Sequence, residues 1–274
     1  MPEDAPATLG RTDTLERTTG PAEHRLFDRV LALLALAALA AQAVLGPRAS
    51  SIAHWGAVAT SVLVAIGAAR TASAPVASLA CLIACIAVAR RTGAPWQLAM
   101  ALAIGSFAAF ARYVPRLRPP AGWHARGSVP RAWTLLVGGV TPFALIGWFV
   151  ALRPDLHDVV DGYVPDLPLP VLVMGGVGFA IINATLEELL WRGILQDRLE
   201  PLFGVGGAIV LQAASFGLQH AWGFPRGLVG VVLAGGWALM LGLLRRHAGG
   251  LLSPILAHVV ADATIAVLVL GVLR

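Results

Sequence analysis

Apolar runs of 15 to 23 residues, separated by short segments bearing arginine, proline or glycine, follow one another from about residue 26 onward. A helix needs about 20 apolar residues to cross a bilayer, and shorter runs suffice where protein surrounds them. Nine candidate spans result: Leu26 to Leu45, Ile52 to Ala69, Pro75 to Ala89, Trp96 to Ala111, Ala132 to Leu152, Pro170 to Leu190, Gly206 to Ala221, Leu228 to Leu244 and Leu251 to Leu273. The pattern predicts an all-α protein, a polytopic membrane helix bundle of about eight to nine transmembrane helices.

Composition agrees, with 57% apolar and 13% charged residues in 274, against roughly 25% charged in a soluble domain. All 20 basic residues are arginine, scattered singly or in pairs beside apolar runs. Such scattering suits helix flanks, whereas a nucleic-acid groove needs a basic face, so no nucleic-acid partner is expected. Cys81 and Cys85, four apart in an apolar run, read as small core residues rather than as a disulfide or zinc site. Residues 1–25 are polar and rich in Thr, Pro and Ala, read as a disordered cytosolic tail without the pattern of a secretory signal.

With nine spans and a cytosolic N-terminus, fourteen arginines fall on inner segments and six on outer ones. Positive loops stay in the cytoplasm, so a multi-pass plasma-membrane protein with its N-terminus inside is expected. No Asp or Glu occurs between Asp28 and Asp155. The basic loop from Arg112 to Arg131 therefore divides a plain four-span region, 26–131, from a C-terminal region, 132–274, where any carboxylate chemistry must lie.

Ionisable residues inside membrane spans are costly and mark function by default. Those present are Glu187, Glu188 and Arg192 near the end of the sixth span, His220 at the end of the seventh, and His258 with Asp262 inside the ninth. Glu188 and Arg192, at i and i+4, share a helix face and can neutralise each other. Glu187 points about 100° away and has no local partner, as a general acid or base requires. Phe216 and His220 share the i, i+4 spacing, as do His258 and Asp262. Glu187 and His220 are 33 residues apart, with the midpoint at Phe203 and Gly204 in a turn-like stretch. A hairpin there would bring them level, and the shorter distance from His258 to its own turn predicts a site nearer the cytosolic face.

Glu187-Glu188-x-x-Trp191-Arg192 resembles the EExxxR motif, Phe216-x-x-x-His220 resembles FxxxH, and His258-x-x-x-Asp262 resembles HxxxN/D of the CPBP family. These are CAAX-type intramembrane glutamic proteases, also called abortive-infection proteins. The resemblance covers about residues 170–270 and implies an intramembrane endopeptidase acting on membrane-associated proteins or peptides. It implies that Glu187 with His220 activates a water while His258 and Asp262 stabilise the oxyanion, with Glu188, Arg192 and Phe216 in support. Many members carry Asn where this chain has Asp262; an ionised Asp would repel an oxyanion, so Asp262 is either protonated or acts by orienting His258.

No cofactor is expected, although two histidines and a glutamate are also a known zinc set. A His-Glu-x-x-His run is absent, and the two histidines come from separate spans. Readings from other classes are a non-catalytic scaffold or immunity protein with a structural polar cluster, and a transporter using His258 and Asp262 as a proton relay. The transporter reading lacks the paired broken helices such folds carry.

Overall fold

The computed structural model describes residues 21–45, 50–118, 124–156 and 164–271, so most of the expected tail, residues 1–20, lies outside it. Among the described residues there is no strand. The helices are α1 (Pro21–Leu45), α2 (Ser51–Thr71), α3 (Ala74–Arg90), α4 (Trp96–Tyr113), α5 (Arg131–Leu152), α6 (Leu169–Glu188), α7 (Gln196–Gln219), α8 (Gly227–Ala248) and α9 (Leu252–Gly271). A π-helical turn, Leu189–Leu195, joins α6 to α7, and a short 3-10 turn, Pro115–Leu117, follows α4.

Each apolar run of the sequence falls on one of these helices. Six stretches are long and apolar enough to cross a membrane: His24–Leu45, Ser51–Thr71, Arg131–Leu152, Leu169–Gln219 with a kink inside it, Gly227–Ala248 and Leu252–Gly271. Ala74–Arg90 is apolar but shorter. It is also sheathed by protein, since α1, α2, α4 and α7 all pack on it.

The direction of the chain reverses inside α7. Gly204 takes φ 73° and ψ 172°, a backbone region that is essentially glycine-only, and it breaks the helix into two arms. The arm from Glu187 to Phe203 and the return arm to His220 each span about 24 Å, which brings the two ends level. A second glycine shapes the other end of the return arm. A Cβ on Gly230 would collide with the Pro225 carbonyl, so glycine lets the 221–226 loop fold down onto α8.

The largest apolar core crosses the boundary at residue 131. Leu79, Ile83, Met100 and Phe107 from α3 and α4 pack in one cluster with Leu190, Trp191, Ile194 and Phe216. Polar ties reinforce the junction, including Arg29 Nε donating to the Leu202 carbonyl at 2.8 Å and an Arg198 Nη donating to the Arg118 carbonyl at 2.6 Å. Helix α5 stands on the far side, packed on α8 and α9. Between it and α1–α4 lies a cavity.

Candidate active site

The ionisable residues singled out in the sequence converge on that cavity, which has a volume of about 900 Å³. Glu187, His220, His258 and Asp262 line it, together with Asn183, Trp191, Phe216 and Trp237. Glu188 and Arg192 stand behind this lining and are fully buried.

Helix α6 ends in the two glutamates, and the π turn begins immediately after them. π turns insert one residue into the helical ladder and recur at functional sites. Here Arg192 reaches back so that one Nη donates to Glu188 Oε1 at 2.8 Å. Its guanidinium also lies 4.7 Å from the Phe216 ring centroid. The same Glu188 oxygen accepts from His258 Nδ1 at 2.7 Å. A carboxylate bound to arginine can only accept, so His258 carries its proton on Nδ1.

That bond aims His258 Nε2 at the cavity, 3.5 Å from Glu187 Oε2 and 3.7 Å from Asp262 Oδ1. The i+4 spacing alone pairs His258 with Asp262, but its hydrogen-bonded partner is Glu188. With Nδ1 already protonated, Nε2 accepts a hydrogen bond in the neutral ring and donates one in the imidazolium. Aromatic edges hold the ring in place, with Trp237 at 4.8 Å and Phe216 at 6.1 Å between centroids.

Glu187 has no partner on its own helix face, yet it is not unpartnered. The indole N–H of Trp96, at the start of α4, donates to Glu187 Oε1 at 2.9 Å. Oε2 is left towards His258 and the cavity. His220 follows the last residue of α7, and its Nδ1 donates to the Phe216 carbonyl at 3.1 Å. Its Nε2 is thereby left as an acceptor, and the Phe216 ring walls it at 4.7 Å. Glu187 and His220 face the same cavity. Asp262 accepts on Oδ2 from the Asn183 amide at 3.0 Å.

Asn183, Trp96, Gln97 and Trp237 escaped the sequence reading. Asn183 lies one helical turn before Glu187, so its spacing was a usable signal. Trp96 and Gln97 carry no such signal, being 91 and 86 residues from their partners. Trp222 is exposed at the mouth, whereas Trp191 is buried edge-on against Phe216.

The mouth is built from the ends of α1–α4 and the 221–226 loop, with His54, Arg90, Arg91 and Trp222 among its residues. Nothing from the 192–206 or 245–251 turns lines the cavity. The opening is therefore at the end of the bundle opposite the one that the arginine count assigns to the cytosol. Helix lengths set how far each residue lies from its own turn, but they do not decide which end of the bundle is open. Among the described residues, no three His, Cys, Asp or Glu side chains are grouped so as to hold a metal ion. His258 donates through Nδ1 to Glu188, which leaves Nε2 as the only nitrogen of that ring open to the cavity, whether to a metal or to a substrate.

Residues 169–264 match the family model for type II CAAX prenyl endopeptidases, Rce1-like. No curated protein and no solved structure matches the chain. The matched stretch contains all three motifs read from the sequence, and it carries α6, the π turn, α7, α8 and most of α9.

Proposed function

We propose that this Rce1-like domain makes the chain an intramembrane endopeptidase, hydrolysing peptide bonds of membrane-associated protein or peptide substrates with water activated by Glu187 and His220. The observation that carries the reading is the convergence of Glu187, His220 and His258 on one membrane-embedded cavity large enough for a peptide segment. Glu187 Oε2 and the acceptor nitrogen of His220 take the proton of a water as its oxygen attacks the scissile carbonyl carbon. The tetrahedral intermediate places negative charge on the former carbonyl oxygen. Nε2–H of the His258 imidazolium, held in orientation by Glu188, donates to it. Collapse breaks the C–N bond, and the proton held by the Glu187–His220 pair passes to the leaving amine.

Asp262 fits this scheme in two ways. Protonated, it donates to the oxyanion as an Asn amide would; ionised, it favours the imidazolium form of His258 from 3.7 Å. The bilayer is the working environment, taken to be the plasma membrane, and the arginine bias supports a cytosolic N-terminus. In that orientation the mouth faces away from the cytosol, and the substrate enters from the outer side.

The test compares purified full-length protein with Glu187→Ala, Glu188→Ala, His220→Ala and His258→Ala on a quenched-fluorescent peptide library, with and without chelator. The Glu187 and His220 variants are expected to lose roughly 10²- to 10⁴-fold in cleavage while their melting temperatures hold, and chelator is expected to change nothing. Inactivation by chelator with rescue by zinc would replace this mechanism by a metalloprotease. A wild type that cleaves nothing, with variants that melt early, would assign the cluster to a non-catalytic scaffold.

A further inference from the structure

We infer that Trp96 and Gln97, in the first turn of α4, are positioning residues of the catalytic centre, so that the N-terminal region completes an active site begun in the Rce1-like domain. The inference rests on the hydrolytic reading of Glu187 and Asp262. It goes beyond the family match, which starts at residue 169.

Two chains of hydrogen bonds leave this one helical turn. In the first, Trp96 Nε1–H donates to Glu187 Oε1 at 2.9 Å, which sets that oxygen on the indole and leaves the other, Oε2, facing His258. This is the only hydrogen bond to the Glu187 carboxylate among the described contacts. In the second, the Gln97 amide donates to Asn183 Oδ1 at 3.0 Å, and the Asn183 amide donates to Asp262 Oδ2 at 3.0 Å. The first bond decides the second. An asparagine amide offers an acceptor on one side and donors on the other, so a donor from Gln97 turns the Asn183 N–H towards Asp262.

The turn is itself fixed at the mouth of the cavity. The Arg90 guanidinium lies 5.4 Å from the Trp96 ring centroid, and one of its Nη atoms donates to Gln219 Oε1 at 2.7 Å, next to His220. Trp96 thus sits between the end of α3 and the end of α7. A purely apolar packing role would use the face of the indole; the N–H aimed at Glu187 is what that role leaves unexplained.

The experiment uses full-length protein in nanodiscs, with Trp96→Phe, Gln97→Leu and Leu98→Ala as a control on the lipid-exposed side of the same turn. Kinetics on the quenched-fluorescent peptide library are expected to show kcat lowered about 10-fold in Trp96→Phe and Gln97→Leu, with KM and melting temperature held. Leu98→Ala should move none of these. Infrared difference spectra supply a readout that needs no substrate. The carboxyl band assigned to Glu187 by its loss in Glu187→Gln is expected to shift in Trp96→Phe. Should Trp96→Phe fail to fold, benzothienylalanine at position 96 replaces the N–H by sulfur and keeps the shape. An unshifted band with unchanged kcat overturns the inference while leaving the protease reading standing. A shifted band in a protein that cleaves nothing keeps the contact and sinks the protease reading, and with it the catalytic role given to Trp96.

Discussion

Helices α1–α4 and α5–α9 bury their interiors with different chemistry. In the first group the buried side chains are apolar apart from Gln42, Ser61 and Ser78, and most of the length of α3 is buried, chiefly through Val, Ala, Leu and Ile. In the second, the interior holds Glu187, Glu188, Arg192, Gln212, His258 and Asp262. An apolar interior in a membrane is stabilised by contact alone, because lipid is as apolar as leucine. A charged one is stabilised only while every partner stays in place, since each ion lacks water to replace a lost neighbour. The contrast explains how one region can wall a cavity while the other lines it with ionisable groups. It also shows where the division fails, at Trp96 and Gln97, which reach from the apolar region into the charged one.

The strongest test of this contrast removes one member of the buried pair. Arg192→Met leaves Glu188 without its cation and is expected to destabilise the fold by about 3–5 kcal/mol, read as an early thermal transition in detergent. Adding Glu188→Leu should recover much of that stability without recovering cleavage, because His258 then loses the acceptor for Nδ1–H. Recovery of both would mean that the pair only packs helices.

Asp262 is expected to give the next largest effect. Asp262→Ala should lower kcat about 10²-fold, the scale of one lost oxyanion donor, or ~2.7 kcal/mol. Asp262→Asn separates the two roles left open for this residue: activity kept within a few-fold identifies a hydrogen-bond donor, and a loss matching alanine identifies an ionised group acting through His258.

The smallest effect is expected in the apolar region. Leu82→Ala in α3 removes a fully buried side chain and should cost about 2 kcal/mol, at the low end for such cavities because transfer from lipid adds little. Cleavage per folded molecule should stay at the wild-type value. A collapse of activity without loss of stability would show that α3 does more than support the wall.

The apolar periods along the chain determined that it is helical and where each helix lies, because in lipid every backbone polar group must be satisfied within its own segment. The i, i+4 spacings determined the Glu188–Arg192 pair and the Phe216–His220 contact, since neighbours one turn apart are set by helix geometry alone. Glycine at 204 was legible as a turn for the same local reason. Tertiary structure alone decided that His258 binds Glu188 rather than Asp262, that Trp96 holds Glu187, and that the cavity opens beside the 221–226 loop. Those choices depend on how helices distant in sequence rotate and pack against one another, and no periodicity within a single segment records the rotation of its neighbours.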